Sequence, residues 1–121
     1  LRTVDRGLFR LVAPATPAAG ADLGEAIGRA IAAARRTSRG VVVALQAPGP
    51  GGDWHAYDTA WRTLEPLAAA AGVRLVNLGR DPRLYDDAVY LDGANPGAGG
   101  HALIADQIGP EVIMLLREAG L

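Results

Sequence analysis

The order of segments along this chain predicts an α/β fold of three layers, a mainly parallel sheet flanked by helices. Three observations predict it. Residues 41–45, Val-Val-Val-Ala-Leu, form an apolar run without polar alternation, as expected of a strand covered on both faces. Directly before it, residues 22–36 repeat apolar side chains at helical spacing. Helix-period and strand-period segments then keep alternating to the C-terminus, the pattern of a parallel sheet with crossover helices.

The elements follow in order. Residues 8–12 are a short, mostly apolar run closed by Ala13-Pro14 and read as a buried strand, with residues 15–21 as its loop. Asp22 is placed to cap the first helix, with Glu25 three residues on as its capping-box partner. That helix carries Leu23, Ala26, Ile27, Ala30, Ile31 and Ala34 on one stripe and ends in Arg35-Arg36 before Gly40. The strand at 41–45 stops at Pro48-Gly49-Pro50-Gly51-Gly52. Asp53 can cap a second helix bearing Tyr57, Ala60, Trp61, Leu64, Leu67, Ala68 and Ala71, with Pro66 expected to kink or divide it. Gly72 closes it. Residues 73–78 read as the next strand, 83–87 as a helical turn and 88–91 as a last short strand. The final helix is expected to start near Gly99 or Gly100, break at Gly109-Pro110 and resume over 111–119.

A chain of 121 residues, half of them apolar, is one domain by size and long enough to bury a core. The twelve basic residues are all Arg and lie scattered among thirteen acids, so no basic stripe for nucleic acid emerges. No apolar run approaches the roughly 20 residues that span a bilayer, and no membrane span is expected. There is no Cys, which excludes disulfides, thiolate metal sites and a Cys nucleophile. The lack of Lys and the abundance of Ala, Gly and Arg fit high-GC bacterial coding. The first residue is Leu1, so the expectation is a chain processed or cut from something longer.

In a parallel sheet with right-handed crossovers, loops leaving the carboxyl ends of strands gather on one edge, where ligands bind. Loops 14–21, 47–55 and 92–100 are therefore expected together, and Asp53, His55, Asp92, Asn95 and His101 can face one cleft. Asp92 ends the short strand and is followed by Gly93-Ala94-Asn95-Pro96 and then by Gly97-Ala98-Gly99-Gly100-His101-Ala102-Leu103-Ile104. This stretch resembles the last conserved block of the SGNH (GDSL-type) esterase and acyltransferase superfamily, a strand followed by Asp-x-x-His-Pro, a short loop, Gly-His and an apolar helix.

The resemblance implies a three-layer SGNH/flavodoxin-like fold, no cofactor, and acyl transfer or hydrolysis on the acyl ester of a sugar or lipid. It makes Asp92 the acid of a relay and puts Asn95 where the base should be, while Asp92 at a strand end also reads simply as a cap for the loop's amide groups, a role that does not exclude the relay. An amide has no usable basicity, so Asn95 can orient a water or a substrate oxygen but not take a proton. Asn95-Pro96-Gly97 also reads simply as a turn. His55 is the one residue whose loop can bring another base to Asp92, although near a helix start beside Trp54 it equally reads as solvent-facing. His101 matches a second histidine that in the family is not the base, and a packing or hydrogen-bonding role is expected. Ser38, the only serine, is expected on the opposite edge, and the family's Gly-Asp-Ser and Gly-x-Asn-Asp elements are missing. The match therefore covers the later part of such a domain, from about residue 21. A nucleophile, and the rest of the sheet, would come from an upstream segment or a second chain.

Other readings are weaker. Gly97-Ala98-Gly99-Gly100-His101-Ala102 fits G-x-G-x-x-A, but it lies five residues past the strand end and no acidic ribose ligand follows. Asp53, His55 and Asp58 match no metal-ligand spacing. A second class remains open, a non-catalytic α/β binding or scaffold module, for which Trp54, Tyr57, Trp61 and Tyr85 would form an exposed patch.

Overall fold

Helix α1, Leu23–Thr37, begins where Asp22 accepts a hydrogen bond from the Gly24 amide at 2.9 Å. Glu25 does not turn back to the cap but pairs with Arg29 one turn on, at 2.8 Å. These residues open the part of the chain that the computed structural model describes, residues 22–121. The strand expected at 8–12 and the loop at 14–21 lie outside it. Ile31 is the buried residue of the α1 stripe, which packs on α2, Trp54–Ala71. Asp53 caps α2 through the Ala56 amide, and Gly72 ends it in the left-handed region at φ 63°, a conformation costly for residues with a β-carbon.

Strand β1, Val42–Leu45, lies parallel to β2, Arg74–Asn77, in the register Val42 to Arg74 and Leu45 to Asn77. Alternation along β2 sends its side chains to opposite faces. Arg74 reaches Glu111 and Glu118 of α3, Ala98–Glu118, whereas Asn77, three residues on, meets Tyr57 of α2. Helices thus cover both faces of a two-stranded parallel ribbon, and the described residues form a mixed α/β fold. Ala47, Val76, Leu78 and Leu84 are its buried centre, with Leu103, Ile104 and Ile108 of α3 packed against it. Among the described residues no helix is long and apolar enough to cross a membrane.

Three sequence expectations are corrected. Helix α2 continues through Pro66 and α3 through Gly109-Pro110, without division. Each proline removes one amide donor, but Pro66 and Pro110 are exposed, so water can take up the carbonyl left over. Residues 88–91 are not a sheet strand. They belong to a 3₁₀ turn, Asp87–Val89, and an isolated antiparallel bridge between Tyr90 and Pro96. Asp86 accepts from the Ala88 amide at 2.9 Å, and a side chain that satisfies the local backbone in this way competes with a ladder.

Candidate functional site

The carboxyl ends of β1 and β2 open into two segments that touch. After β1 the chain turns through Gly49, whose φ is 82°, and a β-carbon there would be driven into the Gly93 carbonyl oxygen. Two of the three loops expected to share one edge, 47–55 and 92–100, therefore meet at Gly49 and Gly93, the third lying outside the described residues, and the start of α2 with His55 follows the first of them.

Beneath the two loops is a web anchored on the Gly79 peptide, in the 3₁₀ turn Leu78–Arg80 that follows β2. The Gly79 amide donates to the Tyr57 hydroxyl at 2.8 Å, and the Tyr85 hydroxyl donates to the Gly79 carbonyl at 2.5 Å. Tyr57 in turn donates to the Asn77 side-chain oxygen and lies 3.3 Å from the Leu45 carbonyl. Burial pushes the Tyr57 phenol above its ordinary value, so it stays a neutral donor. Trp54 fills the gap between the rings, 5.5 Å from Tyr57 and edge-on to Tyr85 at 4.8 Å. Trp61 lies under the Arg80 guanidinium at 5.8 Å. Of the four residues expected to form an exposed patch, three are buried or half-buried and Tyr85 alone is exposed, edge-on to Trp54.

From Gly79 onward the chain is tied down as far as α3. Asp81 is 8% exposed, caps the 3₁₀ turn Pro82–Tyr85 through the Arg83 amide, chelates the Arg83 guanidinium and accepts from Gln107 of α3 at 3.1 Å. The Tyr90 hydroxyl donates to the Leu84 carbonyl at 2.8 Å. Leu91 and Gly97 amides donate to the Asn95 and Val89 carbonyls at 2.7 and 2.8 Å, closing a small hairpin.

At its tip Asp92 and Asn95 are paired. One Asp92 oxygen accepts from the Ala94 amide at 3.1 Å, the Asn95 amide at 2.8 Å and Asn95 Nδ2 at 2.9 Å. The other accepts from the same Nδ2 at 2.8 Å. The Asn95 side chain foremost, then the Asn95 and Ala94 backbone amides, hold the Asp92 carboxyl below its usual range. Both residues are exposed. Asp92 is thus an ionised acceptor already oriented by a donor three residues on. His55, one residue into α2 and exposed, shares the edge, yet the donors on Asp92 come from residues 94 and 95. His101 stands exposed in the first turn of α3, its amide donating to the Gly97 carbonyl at 2.9 Å. Ser38 is the C-cap residue of α1, at the far edge. Among the described residues no three His, Cys, Asp or Glu gather to hold a metal ion.

Sequence reasoning missed Asp81, Gln107 and the Tyr57 web. Asp81-Pro82 was a readable signal, since Asp before Pro at a helical turn is a capping pattern. Nothing local pointed to Gln107 or to the tyrosine hydroxyls.

Asp81 also sets an expected pH dependence. The Arg83 side chain above all, then its backbone amide and Gln107, lower the Asp81 carboxyl against the opposing effect of burial. A carboxylate with a depressed value in the fold stabilises it fully above the unfolded value of about 3.9, and that contribution is lost as pH falls through the depressed one. Denaturant midpoints should therefore drop on acidification through this window, and the drop should be shallower in Asp81→Asn. Identical profiles for the two proteins would remove Asp81 from the account.

Comparison with family models, curated proteins and solved structures finds no match to this chain.

Proposed function

We propose that this chain is the carboxyl-terminal part of an SGNH-like esterase or O-acyltransferase domain in which Asn95 stands in for the catalytic histidine, so that the chain by itself does not turn over. One observation carries the reading, the grip of Asp92 on the side-chain amide three residues on. In a Ser-His-Asp relay the carboxylate accepts from an imidazole N–H and stabilises its charged form. Asn95 Nδ2 occupies the donor's position, but an amide cannot accept the proton of a nucleophile. Orientation is kept while basicity is lost.

The fold is consistent with that reading. Two parallel strands with helices on both faces are a fragment of the three-layer, mainly parallel SGNH/flavodoxin-like sheet, since parallel sheets are normally larger and covered on both sides. Further strands and the nucleophile come from an upstream segment or a second chain. The ligand class is the acyl ester of a sugar or lipid, held at the Asp92 edge beside Gly49 and Gly51, with no cofactor required. His55 is a bystander to the relay.

A second reading, a non-catalytic binding module, is favoured by one fact, that the only serine is at the opposite end of β1 from Asp92. Hydrolysis of p-nitrophenyl acetate separates the two. Asn95→His together with the nucleophile-bearing segment that the reading requires is expected to hydrolyse the ester, and neither partner alone nor the native pair should do so. Adding His55→Ala should leave that turnover intact. No turnover in any combination transfers the assignment to the binding module.

A further inference from the structure

We infer that the Asp92–Gly93 peptide is a site of spontaneous isomerisation to isoaspartate, and that Asn95 restrains it. This stands independently of the proposed enzyme ancestry. Asp92–Gly93 is the only Asp-Gly pair in the chain. In such a pair the following amide nitrogen attacks the aspartate Cγ, the Cγ–O bond breaks and water leaves, giving a five-membered imide. Water then opens either carbonyl, restoring aspartate or leaving isoaspartate, with no net change in mass and no other reactant. Glycine favours the attack because it has no side chain to obstruct the ring and the freest backbone. Both residues are exposed at the hairpin tip, and a β-carbon at Gly93 would meet nothing within 4 Å.

What opposes the reaction is the same set of bonds that marks the site. Ring closure requires the carboxyl group to swing over the Gly93 nitrogen and to lose an oxygen as water. Instead both oxygens are held over residues 94 and 95, by two backbone amides and twice by Asn95 Nδ2 at 2.8 to 2.9 Å. Asn95 also closes the hairpin through its carbonyl, which accepts from the Leu91 amide at 2.7 Å. Without its side chain the carboxylate keeps only backbone donors. Conversion inserts the aspartate β-carbon into the main chain, displaces the carboxylate and dismantles the pair with Asn95. The loop therefore carries its own chemical clock.

The test is incubation of the full chain in mildly acidic buffer at body temperature, with isoaspartate at position 92 quantified by peptide mapping. A synthetic peptide of residues 88–98, Asn95→Ala and Gly93→Ala are followed in parallel, with circular dichroism as the check on folding. The native chain should form isoaspartate at 92 several-fold more slowly than the peptide, and Asn95→Ala should move most of the way to the peptide's rate. Gly93→Ala should suppress it in a folded chain, because that position has open space and is not in the left-handed region. A native chain as fast as the peptide overturns the restraint, as does Asn95→Ala no faster than native. No isoaspartate at 92 in any folded form overturns the site itself. Should Asn95→Ala fail to fold, the comparison of native chain with peptide still decides.

Discussion

Leu84→Ala is expected to lose about 3 kcal/mol of unfolding free energy, within the roughly 2–5 kcal/mol range for emptying a sealed apolar site. Leu84 is 1% exposed, the most deeply buried large side chain among the described residues. It packs with Ala47, Val76 and Leu78, so its side chain joins the loop after β1, β2 and the 3₁₀ turns into one core. Its carbonyl also accepts from Tyr90, which ties the hairpin bearing Asp92 to the same point. The loss should be seen as a lower denaturant midpoint with an unchanged slope. Leu91→Ala serves as the contrast. Leu91 is 81% exposed on the hairpin, and its truncation should stay within about 0.5 kcal/mol. Equal effects at the two leucines would mean that the segment from Pro82 onward is not packed as described.

Gly79→Ala should cost a comparable amount, about 3 kcal/mol, through crowding instead of a void. A β-carbon at Gly79 would come within 2.5 Å of Tyr57 Cζ and 2.6 Å of its Cε1 and hydroxyl oxygen. Overpacking of this kind typically costs about 1–3 kcal/mol, and displacing the ring also disturbs hydrogen bonds worth about 1 kcal/mol each. The ring has little room to yield, since Trp54 stands beside it and its hydroxyl is bonded to Asn77. The decisive form is a double-mutant cycle with Tyr57→Ala. Removing the ring removes the clash, so the two costs should fall well short of adding. Strict additivity, or a Gly79→Ala protein as stable as the native one, would show that the contact does not exist.

Much of the architecture could be read from local pattern. The stripe from Leu23 to Ala34 and the cap at Asp22 located α1, the Val-rich run located β1, and Asp53 with Gly72 bracketed α2. The misreadings have definite causes. Pro66 and Pro110 were expected to interrupt their helices because a missing donor was weighed without knowing that both would face solvent. Residues 88–91 have the composition of a strand, yet a strand exists only where a neighbour offers a ladder. The Asp86 side chain bonds the Ala88 amide before any ladder can.

The candidate site divides in the same way. The turn at Asn95-Pro96-Gly97 and a capping role for Asp92 were legible in the local sequence, whereas the two bonds from Asn95 Nδ2 to the Asp92 carboxylate came only from the structure. That Gly49 meets Gly93 was expected only from topology, as loops on a common edge. The Tyr57 hydroxyl on the Gly79 amide and Gln107 on Asp81 bridge 22 and 26 residues, and their spacing carries no periodicity that could announce them.

By itself, then, the amino-acid sequence located the three helices, the two strands of the described residues and the capping role of Asp92, because each depends on contacts within a few residues or on a repeating apolar period. Only the tertiary structure decided which face Pro66 and Pro110 would show, whether residues 88–91 would find a partner, and which buried donors and acceptors would hold the carboxyl edge. Those outcomes depend on the positions of groups distant in the chain, and a buried polar group must find its partner wherever the packing places one.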